Sequence, residues 1–152
     1  MDEFGPDATD DSRDVICSNF IACHTIWYDN TNSDSGYSLG RVIVHVRPPA
    51  QYHFPLVISR QCLFAQLHGP SDEYVVRVRQ VRIELSGNGD EREVEIGDFG
   101  PWDIAIPGEN YVECFGFTLT QVRYPQAGVY EFQLWVDGMD HLLGRERLEA
   151  RE

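Results

Sequence analysis

The chain is predicted to be all-β, a two-sheet antiparallel β-sandwich of seven or eight strands, and three observations carry that expectation. The first is strict alternation in Val129–Val136, where Tyr130, Phe132, Leu134 and Val136 share one side and Glu131 and Gln133 the other, the period of a half-buried strand. The second is the density of turn chemistry between such runs: Pro125 and Gly128 before this one, Asp137-Gly138 after it. The third is that no amphipathic helix period is visible, which leaves sheet packed on sheet as the way to bury a core. A small closed β-barrel is the runner-up.

Each element follows from its local pattern. Val15–Tyr28 has no Gly or Pro and carries apolar residues on both faces, so it reads as one long strand or two joined at a bulge. The polar run Asp29–Ser35 is a loop. Gly36 opens a second strand over Tyr37–Arg47, and Pro48-Pro49 closes it because proline cannot donate to a ladder. Leu56–Leu67 is apolar on both faces, as a central strand should be. In Tyr74–Leu85 the apolar phase moves from Val76 and Val78 to Val81 and Ile83, which predicts a β-bulge near Arg79-Gln80. Glu91–Ile96 is a short strand and Gly97–Asn110 a long loop around Trp102. Tyr111–Thr120 alternates again, the Tyr130 strand follows, and Leu142–Leu148 is a charged edge strand.

Composition sets outer limits. At 152 residues one domain suffices and buries roughly two-thirds of its unfolded surface. The formal charge is −13. Residues 1–14 hold six acids against Arg13 and read as an acidic disordered tail, leaving 15–149 as the sandwich domain and 150–152 as a flexible C-terminus. Such a charge repels phosphate backbones and anionic lipid, so nucleic acid and membrane are not expected partners. All twelve basic residues are Arg, and without Lys there is no Schiff base, no pyridoxal anchor and no P-loop. With no leader-like start and no apolar run of bilayer length, the expected location is cytoplasmic. Cys17, Cys23, Cys62 and Cys114 lie in apolar runs without Cys-x-x-Cys spacing and are expected to be reduced core thiols, with two disulfides as the weaker alternative.

The segment from Tyr124-Pro125 to Gly128, with Tyr130, Phe132, Leu134, Val136, Asp137 and Gly138, carries a resemblance. Cys23, Gly36-Tyr37-Ser38-Leu39-Gly40 and Phe54-Pro55 add to it. Over Phe20–Leu148 the chain resembles a family of small bacterial single-domain proteins with an immunoglobulin-like sandwich and no assigned function. The resemblance implies that fold, and no activity or catalytic residue.

Candidate sites are few. Asn30-Thr31-Asn32-Ser33-Asp34 alternates oxygen donors like a calcium loop, but Ser35 and Arg41 stand where the turn glycine and bidentate Glu belong, so an ordinary Asx-rich turn is favoured. His24, His45, His53, His68 and His141 have no local metal-ligand spacing, and no metal or cofactor is expected. No Gly-x-Ser-x-Gly elbow occurs, and Cys62 lies in too apolar a run for a thiolate. Asp98 and Asp103 could flank a sugar as glycosidase carboxylates do, though 25 acids make coincidental pairs common. Phe99, Trp102 and Asp103 form the candidate ligand-binding loop, against the simpler reading of Trp102 as core. Arg77, Arg79 and Arg82 form a candidate anion patch, against simple pairing with Glu93, Glu95, Glu113 or Glu131.

The functional expectation is a non-enzymatic module that binds a protein partner or a second copy of itself, because the first and third strands carry more apolar surface than two layers hide. The alternative is a carbohydrate or small-ligand module using the Phe99–Trp102 loop, and behind it a hydrolase with a carboxylate or metal site.

Overall fold

The computed structural model describes residues 14–29, 36–108, 110–137 and 142–152. The expected acidic tail and the Asn30–Asp34 turn lie outside these, apart from Asp14. Nine strands occur: β1 Ile16–Asp29, β2 Gly36–Val42, β3 His45–Val46, β4 Leu56–His68, β5 Asp72–Leu85, β6 Glu91–Ile106, β7 Glu113–Tyr124, β8 Gly128–Val136 and β9 Leu142–Ala150. They form a four-stranded sheet, β2-β1-β4-β7, and a five-stranded sheet, β3-β9-β8-β5-β6. The molecule is an immunoglobulin-like sandwich and not a closed barrel. Every pairing is antiparallel except β3 with β9. Among the described residues no helix is long and apolar enough to cross a membrane.

The core lies where the alternation predicts. Phe20, Ala22, Leu63, Ala65, Leu67, Phe117 and Leu119 project from one sheet against Val76, Val78, Phe132, Leu134 and Val136 from the other. The Tyr124–Gly128 turn is locked by its own aromatics. The Tyr130 hydroxyl donates to the Gln126 carbonyl at 2.7 Å, and the Tyr124 ring meets Tyr130 edge-on at 5.0 Å. Tyr124 in turn donates to buried Gln61 at 2.7 Å.

Four expectations need correction. The second strand does not run to Arg47: β2 stops at Val42, Ile43 donates its N–H to the Ala22 carbonyl at 2.8 Å, and β3 crosses to the other sheet beside β9. Arg41, at φ 53°, supplies the kink. The bulge predicted near Arg79-Gln80 falls between Gln80 and Val81, but only in the ladder with β6 and not within β5, since Val76–Ile83 pairs with β8 without a shift. The extra residues belong to β6, where Phe99 and Trp102 face Val78 and Val76, and Gly97 and Glu95 face Gln80 and Val81. The apolar phase moves along β5 because this central strand is buried on both faces, Val78, Gln80 and Val81 alike. Gly97–Ile106 is strand instead of loop, since an edge strand tolerates Pro101 where a central one does not. Leu142–Leu148 keeps one open edge as expected, since β3 pairs only with Glu149 and Ala150 at the end of β9. Ala150 is buried there and the Arg151 N–H donates to the Val46 carbonyl at 2.9 Å, so the expected flexible end is tied down as far as Arg151.

Candidate docking surface on the outer faces of the sandwich

The two outer faces of the sandwich are built in opposite ways. On the five-stranded sheet, Glu131 is wholly buried although it points away from the core. It accepts from Arg147 Nε at 2.8 Å and Gln133 Nε2 at 2.7 Å. Arg147 also grips Glu91 through both terminal nitrogens, Gln133 reaches Glu93 at 2.9 Å, and Arg79 pairs with Glu93 and Glu95 at 3.5 Å. Long charged side chains lying flat over the sheet cover it with their alkyl stems while their heads stay wet. Hydrogen bonds from Arg147 hold the Glu91 carboxyl below its ordinary range.

The four-stranded sheet has no such cover. β4 buries Leu63, Ala65 and Leu67 in the core, yet Cys62 and Phe64 on its other face are also buried, as is Cys23 opposite Cys62. These three stand outside the main core cluster. What covers them is the β1–β2 hairpin. Pairing of β1 with β4 ends at Cys23, and beyond it β1 pairs only with β2. Ile26 of β1 nevertheless reaches β7, two strands away: its side chain stands 3.2 Å from where a Gly116 Cβ would lie. The Tyr37 ring of β2 lies 5.8 Å from Phe64. The hairpin therefore bends across the outer face of β4 and β7, and Gly116 is glycine because the hairpin rests on it. Burial, with the nearby Cys114, Glu113 and Tyr28 adding to it, raises the Tyr37 phenol.

Bending transfers the apolar excess outward. Trp27 is 53% exposed, Tyr28 55% and Tyr37 40%, with Tyr28 edge-on to Tyr37 at 5.2 Å. A groove of about 310 Å³ opens between hairpin and sheet, lined by Ile26, Trp27, Tyr28, Tyr37, Cys62, Gly116 and Thr118. All four cysteines are free thiols, and burial, followed by the neighbouring Cys62, pushes Cys23 up to about 11.

The residues singled out from sequence are dispersed. Trp102 packs inward, 4.9 Å from Phe117, Phe99 also lies against the core, and Asp103, opposite Val75, is exposed. Phe99 does line a cavity of about 390 Å³ in the seam between the edges of β6 and β7, with Gln80, Asp98, Thr120, Gln121 and Arg123. Gln80 donates to the Arg123 carbonyl there at 2.9 Å, and its buried Oε1 has no partner. The three arginines do not form one stripe: Arg77 and Arg79 stand opposite Trp135 and Gln133, whereas Arg82 stands opposite Tyr130, whose side chain is core. Arg77 pairs with Asp137 at 3.1 Å and Arg82 with Glu84. His24, His45 and His53 are exposed and His68 is half-buried, while His141 lies outside the described residues. Among those residues no three His, Cys, Asp or Glu side chains gather as a metal site. The hairpin surface itself was missed, although an isolated glycine inside a strand pattern, Gly116, signals close approach by another segment.

No protein-family model matches the chain, and no curated protein matches it. A solved structure similar to it is Pseudomonas fluorescens alkylpurine DNA glycosylase AlkC bound to DNA containing an abasic site analog, at 12% identity and a TM-score of 0.45. The match covers 92% of this chain and 31% of that one, so the chain spans under a third of that protein. At this identity and score the likeness carries no argument about activity or ligand.

Proposed function

We propose that the protein is a non-enzymatic binding module that docks another protein on the aromatic face of its β1–β2 hairpin. The observation that carries this is the concentration of exposed Trp27, Tyr28 and Tyr37 around one groove, since aromatic anchors beside a pocket dominate protein interfaces. The charge of −13 favours a partner bearing basic residues beside an apolar anchor, and disfavours a second copy by self-repulsion. Four free thiols, with Cys23 and Cys62 facing each other unjoined, support a reducing, cytoplasmic setting. The finer assignment to bacterial immunoglobulin-like proteins of unknown function belongs to the same proposal and adds no activity.

Selection of a phage-displayed peptide library on the protein tests this. The expected winners carry an aromatic or aliphatic residue beside Arg or Lys, and lose about tenfold or more in affinity on a Tyr28→Ala/Tyr37→Ala variant. Winners that bind the variant equally well would remove the proposal. A sedimentation measurement beside it expects a monomer.

A second reading rests on the seam cavity. The unpartnered Gln80 Oε1, with Phe99, Asp98, Thr120 and Arg123 around it, fits a small hydroxylated ligand such as a sugar, which offers donors to an amide oxygen and a face to an aromatic ring. Titration with glucose, mannose and cellobiose, followed by the Gln80 side-chain amide signal, decides it. Unmoved signals at millimolar sugar would exclude it.

A further inference from the structure

The two sheets end in four strands, and β9 adds an open stretch over Leu142–Leu148 that carries Arg145, Glu146 and Arg147; that stretch and three of the four end strands are blunted. β3 is two residues long. β2 carries a charge and a kink at Arg41, at φ 53°. β6 is long but carries Glu91, Arg92, Glu93, Glu95, Asp98 and Asp103, Pro101 and two irregular registers. Charge, proline and bulges are the usual devices that keep an edge from pairing. β7 has none of them from Cys114 to Thr120; its first departure is Gln121, at φ 56°. Among the described residues β7 pairs only with β4, so one side of its ladder is open over that stretch.

We infer that the partner adds to this molecule as an extended strand along the free edge of β7, setting an apolar side chain into the groove beneath the β1–β2 hairpin. This rests on the docking surface proposed above and names its mode of recognition. Strand addition draws affinity from main-chain hydrogen bonds and specificity from pockets for alternate side chains. The geometry supplies both. Gly116 and Thr118 of β7 floor the groove, and Ile26, Tyr28 and Tyr37 wall it, so a strand lying beside Gly116 and Thr118 turns every second side chain towards the hairpin. At the far end of the same edge, Thr120 and Gln121 border the seam cavity. Glu113 opens β7, and in a chain of charge −13 it selects Arg or Lys at that end of the added strand.

The test takes one peptide selected on the intact protein and resynthesises it with a single N-methyl group at each position in turn. Expected is an alternating pattern, with about tenfold or greater weakening at every second residue, together with slowed hydrogen exchange of amides within Cys114–Thr120 when unmodified peptide is bound. Tolerance of N-methylation throughout, with β7 exchange unchanged but binding still lost on Tyr28→Ala/Tyr37→Ala, overturns strand addition and leaves the docking surface standing. Peptides indifferent to both the N-methyl scan and that variant overturn both. A dimer in sedimentation whose β7 amides are slowed without peptide makes a second copy the occupant and overturns the heterologous partner.

Discussion

The outer faces of the two sheets show two solutions to one problem, what to do with the side of a sheet that does not face the core. The five-stranded sheet lays Arg147, Gln133, Glu93 and Arg79 across itself and drowns one carboxylate, Glu131, beneath them. The four-stranded sheet covers Cys23, Cys62 and Phe64 with its own first hairpin. The first solution satisfies its members mostly among themselves and presents charge. The second hides one apolar layer by exposing another, Trp27, Tyr28 and Tyr37. The proposed docking falls on the face whose cover leaves aromatic rings exposed.

The largest effects should come from beneath the two covers. Arg147→Ala leaves Glu131 buried with Gln133 as its nearest donor, and should cost about 3 kcal/mol in denaturant unfolding. Phe64→Ala, on a face that an ordinary two-layer sandwich leaves wet, should cost a similar ~3 kcal/mol because the hairpin makes it core. A loss under ~1 kcal/mol would mean the hairpin does not seal that face. Gly116→Val sets a side chain against Ile26, already within 3.2 Å of the Cβ position, and should cost about 2 kcal/mol and shift the amide signals of Thr25–Asp29.

Protonation separates the faces more gently. Glu84, hydrogen-bonded by Arg82 and Arg92, and Glu91, hydrogen-bonded by Arg147, have lowered values. Their contribution is complete above the ordinary Glu value and is lost as pH falls through the lowered ones. Glu146 is raised by burial, which outweighs the Ala22 N–H donated to it at 2.9 Å, so its contribution is complete below the ordinary value and is lost as pH rises through the raised one. Melting curves should therefore show Glu91→Gln lowering Tm at pH 7, with the deficit shrinking as pH falls through the lowered value, and Glu146→Gln raising Tm at pH 7, with the gain vanishing as pH falls below the ordinary Glu value. The smallest effect is Trp27→Ala, within about 0.5 kcal/mol of wild type in stability, because the ring is 53% exposed.

The strands were legible wherever alternation met a turn signal: the Tyr130 strand, β4 and most of β7 follow their apolar periods. What misled was burial on both faces. In β5, Val76 and Val78 followed by Val81 and Ile83 mimics a slipped phase, because the second pair lies under the ion network and not in the core. The kinks at Arg41 and Gln121 left no trace, since nothing in an Arg or a Gln announces positive φ. The excess apolar surface of the first and third strands was readable, but its destination was not: it depends on β1 leaving β4 at Cys23, a decision made in three dimensions. Phe99, Trp102 and Asp103 looked like a loop because Gly100-Pro101 is turn chemistry nearly everywhere except on a sheet edge.

Isothermal titration of one selected peptide against paired variants tests the central contrast most directly. Expected is a loss of about tenfold or more on Tyr28→Ala/Tyr37→Ala and unchanged affinity on Arg79→Ala/Arg145→Ala. Binding that survives the first pair and fails on the second would place recognition on the charged face and contradict that contrast.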